Sequence, residues 1–344
     1  METTRPAVTV VIITRNRPDA LRNISLPSLK DQGYRPLRAL VWDASDDDKS
    51  RNVVQSEQLG IPVSWARAPR VGSSSQRNDA LRELESDVVL FMDDDLALGD
   101  GAVAELVACL YAQNGGSARV AGAQCAEIQG SATQDCHLAA RVRHRLGRMA
   151  RVVSLKGYAG SRQFVRLSGH ASWLDPNLAR HAETSEQRFR GDLEWMTGSC
   201  MAYRMDAIRQ EEVHFDECLE RYGGRAALED VLFSATLHAR GWSLRYCYRA
   251  HALHLPDPSS PSRDSARMLA ASLAYNRAVV WKKLCSKRRG ARLAYWWSVT
   301  CDTLTITAGC LYRGEASTWR GWLMGLAAAD IMRKGEDSEC SGPE

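Results

Sequence analysis

Along the first 125 residues, short apolar runs alternate with longer stretches in which apolar and polar positions recur with helical spacing. VTVVIIT (8–14) is a continuous run rich in β-branched residues, which is typical of a strand buried on both faces. Further strands are predicted at 37–43, 61–66, 87–92 and 117–125. Helix-like stretches lie between them, after Pro18 and at 46–59, 73–86 and 99–113. This alternation predicts βαβ units and a mainly parallel sheet with right-handed crossovers.

The pattern changes twice in the second half of the chain. Strand-like and helix-like stretches alternate again over 195–254, and a Pro- and Ser-rich stretch, 256–265, is interpreted as a linker. Helical patterns follow at 266–284, 291–312 and 317–332, and the tail 334–344 is expected to fray. We therefore expect one α/β domain over 1–255, with halves 1–125 and 126–255, followed by C-terminal helices over 266–333.

The composition is that of a soluble globular protein, with 44% hydrophobic and 25% charged residues in 344. A net charge of +4 gives no reason to expect nucleic acid as a partner. One local stretch, 136–174, has eight Lys or Arg residues and no acid. It is interpreted either as an insertion with a basic face or as a solvated charge run.

The N-terminus has no basic segment followed by a long apolar segment, so the pattern favours a cytoplasmic protein. The 10 cysteines form no CxxC or CxC pair. Their scatter over strand-like and helix-like stretches predicts reduced thiols in the core, in preference to zinc ligands or a disulfide framework.

Acidic residues directly follow the predicted fourth strand. They are Asp93, Asp94 and Asp95, and adjacent carboxylates repel one another unless a cation neutralises them. Ligands of parallel α/β sheets bind beyond the carboxyl ends of the strands, which is where this triplet falls. It is interpreted as a site for Mg²⁺ or Mn²⁺ together with a diphosphate; the alternative is a solvated turn.

Two further segments of the first half offer groups for a nucleotide. Asp43 ends the second strand on the same edge and is suited to accept hydrogen bonds from a base or a ribose. In VGSSSQRNDAL, a serine is available as helix N-cap, and Arg77 offers a planar fork of donors to a base or a diphosphate. Asn78 is expected to brace this loop.

The second half contributes acids at a predicted helix start and a histidine at a predicted strand end. Glu229 and Asp230 open the helix, where a held carboxylate can be the general base that transfer to a hydroxyl requires. The alternative is an ordinary pair of first-turn acids. His254 ends the strand, where a neutral imidazole can complete a metal shell, and His251 is its competitor.

Taken in order over about residues 8–285, these stretches resemble the inverting family 2 glycosyltransferases of the GT-A fold. The segments that carry the resemblance are VTVVIITRNRPDAL, LVWDASDDD, GSSSQRNDAL, LFMDDDLALGDGAV with its DXD pattern, MTGSCMAYRMDAI, LEDVLFSATLHARGW and RAHALHL. The chain departs from the family pattern at Ala44-Ser45, Ser199-Cys200 and Leu228, and these departures bear on the sugar and the acceptor. The resemblance implies a Rossmann-like, mainly parallel α/β sheet flanked by helices, with a helical C-terminal extension.

The resemblance also implies a metal-dependent, inverting transfer of a hexose or deoxyhexose from a nucleoside diphosphate sugar to a hydroxyl acceptor, in polysaccharide, glycolipid or glycoconjugate biosynthesis. The implied acceptor is a saccharide or a lipid-linked saccharide, and the implied cofactor is Mn²⁺ or Mg²⁺. The implied residues are Asp230 and Glu229 for catalysis, Thr14, Arg15, Asn16, Asp43, Arg77, Asp93 and Asp94 for the nucleotide sugar, and Asp93, Asp95 and His254 for the metal.

Two other classes of function remain open from the sequence. A nucleotidyltransferase on a similar sheet would use the same cation, but the turn after the first strand, TRNRPDA, lacks the glycines and lysines of a phosphate loop. A non-catalytic, membrane-associated scaffold is suggested by the tryptophans after residue 290 and the basic run KKLCSKRR. As a membrane span, 291–312 is weak because it contains Asp302 and several hydroxyls. Packed C-terminal helices with room for peripheral contact at the inner face of a membrane are preferred.

Overall fold

The computed structural model describes residues 5–30, 32–112, 119–129, 192–193, 195–223, 226–255, 265–284, 291–314 and 316–333. The basic stretch 136–174, the linker apart from its last residue, and the tail 334–344 lie outside these ranges. The chain divides into two compact units. The first consists of Met1–Gly130, Pro176–Asp216 and Glu229–Pro261, and the second of Ser131–Asp175, Glu217–Leu228 and Ser262–Glu344.

Among the described residues, nine strands form one sheet. They are β1 (Val8–Thr14), β2 (Leu37–Asp43), β3 (Val63–Arg67), β4 (Val88–Asp93), β5 (Leu96–Leu98), β6 (Val120–Gln129), β7 (Asp192–Leu193), β8 (Cys200–Arg204) and β9 (Ser243–His254). Their order is β3-β2-β1-β4-β8-β6-β9-β5, and β7 pairs with β9. β1 to β4, β6 and β9 share one direction, whereas β5, β7 and β8 run the opposite way. The predicted α/β class is confirmed, and the first two strands have the predicted bounds.

Helices cover both faces of the sheet in the first unit. They are α1 (Pro18–Ala20), which continues into a π-helical turn over Leu21–Ser25 and a 3₁₀ turn over Pro27–Leu29, α2 (Lys49–Ser56), α3 (Ser73–Arg82), α4 (Ala102–Tyr111), α5 (Met205–Glu211) and α6 (Glu229–Ala239). β1 is buried on both faces because alternate residues enter different cores. Val10 and Ile12 pack in the cluster that contains Leu106 of α4, and Val11 packs in the cluster that contains Phe91 and Phe233.

The second unit contains three long helices, α7 (Ala266–Leu284), α8 (Ala291–Arg313) and α9 (Ser317–Arg333), and all three were predicted nearly to the residue. α7 and α9 lie close together because Gly321 and Gly325 have no side chains; a Cβ at either would collide with the α7 carbonyls of Arg267 or Ala271. Within the described ranges, no helix is long and apolar enough to cross a membrane.

The structure corrects the expectation of reduced thiols for three cysteines. Cys125 of β6 and Cys200 of β8 form a disulfide, and Cys218 is also disulfide-bonded. The β6–β8 register pairs Gln124 with Met201, which places Cys125 opposite Cys200. The two cysteines are 75 positions apart in the chain, so sequence spacing could not reveal this contact. Free thiols among the described residues are Cys109, Cys247, Cys301 and Cys310.

Candidate active site

The acid triplet lies at the carboxyl edge of the sheet. Asp93 is the last residue of β4, and Asp94 and Asp95 form the turn into β5. β4 is paired with β1, and the strand order reverses between these two strands, which is where open α/β sheets form their ligand crevice. Asp94 is buried, and the Thr14 hydroxyl donates a hydrogen bond to its Oδ2 at 2.6 Å. Asp94 therefore ties the turn to the end of β1.

Arg17 bridges two of the three acids. Its Nη1 pairs with Asp94 Oδ1, and its Nη2 lies 2.8 Å from Asp95 Oδ2. The guanidinium is largely enclosed, with 15% of the side chain exposed. One planar cation thus joins two consecutive carboxylates, which offsets part of their mutual repulsion.

His254 lies between two carboxylates at the carboxyl end of β9. Its Nε2 is 3.3 Å from Asp95 Oδ1, and its Nδ1 is 2.9 Å from Glu127 Oε1. Hydrogen bonding to Asp95, and then to Glu127, raises the pKa of His254 to about 10. Burial works against the charge on Asp95, but its bonds to His254 and Arg17 lower its pKa to about 2. The competitor His251 has an exposed side chain.

Arg77 connects the acid triplet to the start of α6. Its Nη1 donates to Glu229 Oε1 at 2.6 Å, and its Nη2 lies 3.8 Å from Asp93 Oδ1. The guanidinium also lies over the rings of Phe91 and Phe215. Burial opposes its charge, but Glu229 and Asp93 together raise the pKa of Arg77 above its usual value. Arg77 therefore pairs with two carboxylates of the protein, Glu229 and Asp93.

Asp93 differs electrostatically from its neighbour Asp95. Desolvation raises the pKa of Asp93 to about 7 against the opposing effect of Arg77, and the charges of Asp95 and Asp94 add to the rise. The side chain is 37% exposed, so it is the member of the triplet that faces the open side of the edge.

Asp230 is held by two backbone donors. The Gly198 N–H donates to its Oδ2 at 2.6 Å, and the Val231 N–H donates to its Oδ1 at 2.7 Å. Burial, and then the charge of Glu229, raise the pKa of Asp230 to about 7. A Cβ at position 198 would lie 3.3 Å from Asp230 Oδ2 and 3.4 Å from Arg77 Nη2, so glycine permits this close approach. A carboxyl group with a pKa near 7 is suited to accept a proton at neutral pH.

The residues predicted for the nucleotide lie at the ends of β1 and β2. Asp43 is fully buried; the Ser45 N–H donates to its Oδ1 at 2.8 Å and the Trp65 indole to its Oδ2 at 3.0 Å. A carboxylate has further lone pairs, so these bonds orient Asp43 without saturating it. Asn16 has a left-handed backbone, with φ of 54°, and exchanges hydrogen bonds with Asp46. Arg15 lies 3.5 Å from the same Asp46 carboxylate.

Two polar residues of α3 brace this edge from below. Asn78 exchanges two hydrogen bonds of 2.8 Å with the backbone of Phe215, as its predicted bracing role requires. Gln76 donates to the carbonyls of Thr14 and Trp42 at the ends of β1 and β2. The N-cap of α3 is Gly72, not the predicted serine.

The side chains at this edge are chemically suited to bind a divalent cation. Asp93, Asp95 and His254 offer the carboxylate oxygens and imidazole that Mn²⁺ accepts, and Glu127 adds a further carboxylate. In their present arrangement, Asp95 is bonded to Arg17 and His254, while Asp93 is directed to Arg77. Over the described ranges, no group of three or more His, Cys, Asp or Glu side chains, including Asp95, His254 and Glu127, has an arrangement that could hold a metal ion without rearrangement.

Sequence reasoning missed Arg17, Glu127 and Gly198. Glu127 is the one acid on the otherwise apolar or neutral β6, VAGAQCAEIQ, which is a signal that could have been read. It accepts a 2.6 Å hydrogen bond from Ser199 as well as the contact with His254. Arg17 gave no such signal. Its partners lie 77 and 78 positions later in the chain, and only the fold brings them together.

Parts of the sequence are similar to known proteins. Residues 9–124 match the family described as Glycosyl transferase family 2. A stretch of 133 residues is 27% identical to the GalNAc(5)-diNAcBac-PP-undecaprenol beta-1,3-glucosyltransferase of Campylobacter jejuni. The alignment covers 38% of this chain and 42% of that enzyme, so the chain spans less than half the length of this relative.

Solved structures define the fold. The mannosyltransferase PcManGT of Pyrobaculum calidifontis, determined with GDP-Man and Mn²⁺, has a TM-score of 0.50 and 15% identity over 97% of this chain and 89% of that chain. TarS 1-349 of S. aureus, determined alone and with UDP-GlcNAc, has a TM-score of 0.53 and 13% identity over 94% and 80%. The fold is therefore the mixed α/β architecture of GT-A glycosyltransferases with C-terminal helices, and the family 2 match covers residues 9–124 of the 344.

Proposed function

We propose that this protein is an inverting glycosyltransferase that moves a hexose or deoxyhexose from a nucleoside diphosphate sugar to a hydroxyl acceptor. The observation that carries the proposal is Asp230, a carboxylate held by two backbone N–H groups with a pKa of about 7. Its neighbour Glu229 is joined to Asp93 of the acid triplet by Arg77. A general base and a diphosphate site on one sheet edge are the two parts that such a transfer requires. Residues 1–255 are assigned as the catalytic domain.

In the proposed reaction, Asp230 accepts the proton of the acceptor hydroxyl. The acceptor oxygen forms its bond to the anomeric carbon while the bond from that carbon to the diphosphate oxygen breaks on the opposite face. The configuration at the anomeric carbon is therefore inverted. Gly198 and Val231 fix the carboxylate for this step, and Glu229, bonded to Arg77 and Ser73, orients the acceptor from the next position.

The donor occupies the edge formed by β1, β2 and β4. Thr14, Arg15, Asn16 and Asp43 are assigned to the nucleoside side, with Arg77, Asp93 and Asp94 towards the diphosphate. Asp93, Asp95 and His254 would hold Mn²⁺ or Mg²⁺, whose chemistry is to neutralise charge on the leaving diphosphate. A protonated imidazole cannot bind a metal, so His254 would have to release its proton first.

Ligand screening tests the assignment of the donor. The full chain is melted with GDP, UDP and their sugars, each with and without Mn²⁺, because a ligand of the native state raises the melting temperature by mass action. We expect one base, with Mn²⁺, to give the largest rise. Transfer from the matching sugar to a hydroxyl acceptor, followed by NMR of the product, then reports the anomeric configuration. Retention of configuration would contradict the role of Asp230 as base.

A lipid-linked acceptor is supported by a separate feature of the second unit. On α8, Trp297, Leu304 and Leu311 recur every seven residues on one face, with 50%, 65% and 78% of their surface exposed. Trp281 of α7 stacks on Tyr295 of α8 at 4.7 Å, and the two lysines that follow it, Lys282 and Lys283, are exposed. Lysines beside exposed tryptophans are typical of contact with an anionic bilayer surface.

Vesicle binding tests this contact. We expect the full chain to sediment with vesicles containing anionic phospholipid and much less with zwitterionic vesicles or at high salt. The change Trp297→Ser with Leu304→Ser should weaken binding, whereas Val71→Ser, an exposed apolar residue of the first unit, should not. Equal binding of both variants, or self-association through the same face in light scattering, would contradict the proposal.

A further inference from the structure

We infer that Arg17 is the resident counter-cation of the acid triplet, that it keeps the divalent-cation site closed in the donor-free protein, and that binding of the ion displaces it. The inference rests on the proposed function, because it concerns the same edge of the sheet. It assigns a task to a residue outside the predicted set of nucleotide and metal contacts.

Geometry gives the first argument. Asp95 is one of the three predicted metal ligands, and both of its oxygens already have partners: Arg17 Nη2 at 2.8 Å from Oδ2 and His254 Nε2 at 3.3 Å from Oδ1. Each oxygen keeps a further lone pair, but a divalent ion that coordinated Oδ2 would lie close to the positive guanidinium, and the repulsion between the two cations opposes binding. The closed arrangement is an ion-pair cluster in which the guanidinium occupies the position of an external cation.

Charge balance gives the second argument. Arg17 also pairs with Asp94, and all three side chains are largely enclosed, with 15%, 5% and 13% of their surface exposed. Removing a partner from an enclosed ion pair leaves an uncompensated charge, which is costly. An ion that displaces Arg17 from Asp95 compensates the charge of that acid but leaves the guanidinium with one carboxylate, Asp94, where it had two.

A diphosphate is the anion that the donor supplies. It carries negative oxygens in the arrangement that a guanidinium fork binds well. The Arg17 nitrogen that leaves Asp95, Nη2, therefore regains an anionic partner only when ion and nucleotide arrive together. Binding of the divalent ion and binding of the nucleoside diphosphate should each strengthen the other, with a reciprocal coupling carried by Arg17.

Titration with Mn²⁺, followed by the electron paramagnetic resonance of the free ion, tests this without an activity assay. The proteins are the wild type, Arg17→Met, Arg17→Lys and the control Arg22→Met, an exposed arginine of the following turn. Each is titrated alone and with GDP or UDP. Circular dichroism melts establish that each variant is folded. If Arg17→Met does not fold, the comparison of Mn²⁺ binding is made between the wild type and Arg17→Lys.

Without nucleotide, we expect weak Mn²⁺ binding by the wild type and by Arg22→Met. Arg17→Met should bind about tenfold more tightly, and Arg17→Lys, which keeps a charge but cannot bridge two carboxylates, should be intermediate. Nucleotide should tighten Mn²⁺ binding by every protein, because the diphosphate itself attracts the ion, but by a smaller factor in Arg17→Met than in the wild type. Unchanged or weaker Mn²⁺ binding by both Arg17 variants would overturn the inference while leaving the proposed transferase intact. Absence of Mn²⁺ binding in every protein, with and without nucleotide, would overturn it and would also contradict the metal part of the proposed function.

Discussion

At the scale of single residues, the acids of the site differ in pKa because their partners differ. Asp95 is bonded to two cationic groups, and its pKa falls to about 2, whereas burial raises the pKa values of Asp93 and Asp230 to about 7. Neighbouring carboxyl groups with opposite shifts are typical of sites in which one acid stays charged and another exchanges a proton.

The pKa of Asp230 predicts the pH dependence of transfer. Protonated Asp230 cannot accept the hydroxyl proton, so kcat/KM should fall about tenfold for each pH unit below about 7. Initial rates between pH 5 and 9 measure this. Asp93→Asn serves as the control for the second group with a similar pKa, because it should lower the rate but keep the acid limb. If kcat/KM of Asp93→Asn no longer falls at low pH, the group whose protonation stops transfer is Asp93 and not Asp230.

The same shift predicts a gain of stability on removing the charge. A carboxyl whose pKa is raised by folding contributes stability that is present below about pH 4 and lost as the pH rises through about 7. At pH 8, charged Asp230 therefore costs stability, and Asp230→Asn should raise the free energy of unfolding by about 1 to 2 kcal/mol. Urea unfolding at pH 8 and pH 4 measures it; an increase that is equal at both values would contradict the electrostatic cause.

At the scale of elements, the site depends on strand ends and on braces beneath them. β1, β2, β4, β6 and β9 share one direction and deliver Thr14, Asp43, Asp93, Glu127 and His254 to one edge. The amino end of the oppositely directed β8 reaches the same edge and brings Gly198 to Asp230. α3 fixes this arrangement through the side chains of Gln76 and Asn78, which form hydrogen bonds with backbone groups.

Removal of the Asn78 brace should destabilise the first unit. Asn78→Ala would leave the buried N–H and carbonyl of Phe215 without their partner, which costs about 2 to 3 kcal/mol. Denaturant unfolding measures the loss, and Asn52→Ala, an exposed site on α2, is the control with an expected change below about 0.5 kcal/mol. A loss in Asn78→Ala no larger than in the control would mean that the loop at Phe215 does not need this bond.

At the scale of the whole molecule, periodicity and strand-end acids were sufficient to predict the α/β class, the bounds of β1, β2 and α7, and the acids that gather at one edge. The remaining features depend on tertiary register. Arg17 meets Asp94 and Asp95 only because β1 and β4 are adjacent, and Cys125 meets Cys200 only through the β6–β8 pairing. Glu127 joins His254 because β6 runs parallel to β9. A sequence without its fold gives the chemistry of such residues but not their partners.

The central claim is that Asp230 is the base of a sugar transfer. The direct measurement is the transfer rate from the nucleotide sugar identified by screening, for the wild type, Asp230→Asn and Asp206→Asn. Asp206 is a matched control because it also stands second in its helix, α5, and accepts a hydrogen bond from the next N–H, at 2.8 Å compared with 2.7 Å for Asp230. We predict a loss of about 10²- to 10⁴-fold in Asp230→Asn with unchanged folding, and wild-type transfer in Asp206→Asn. Transfer by folded Asp230→Asn within a fewfold of the wild type would contradict the account.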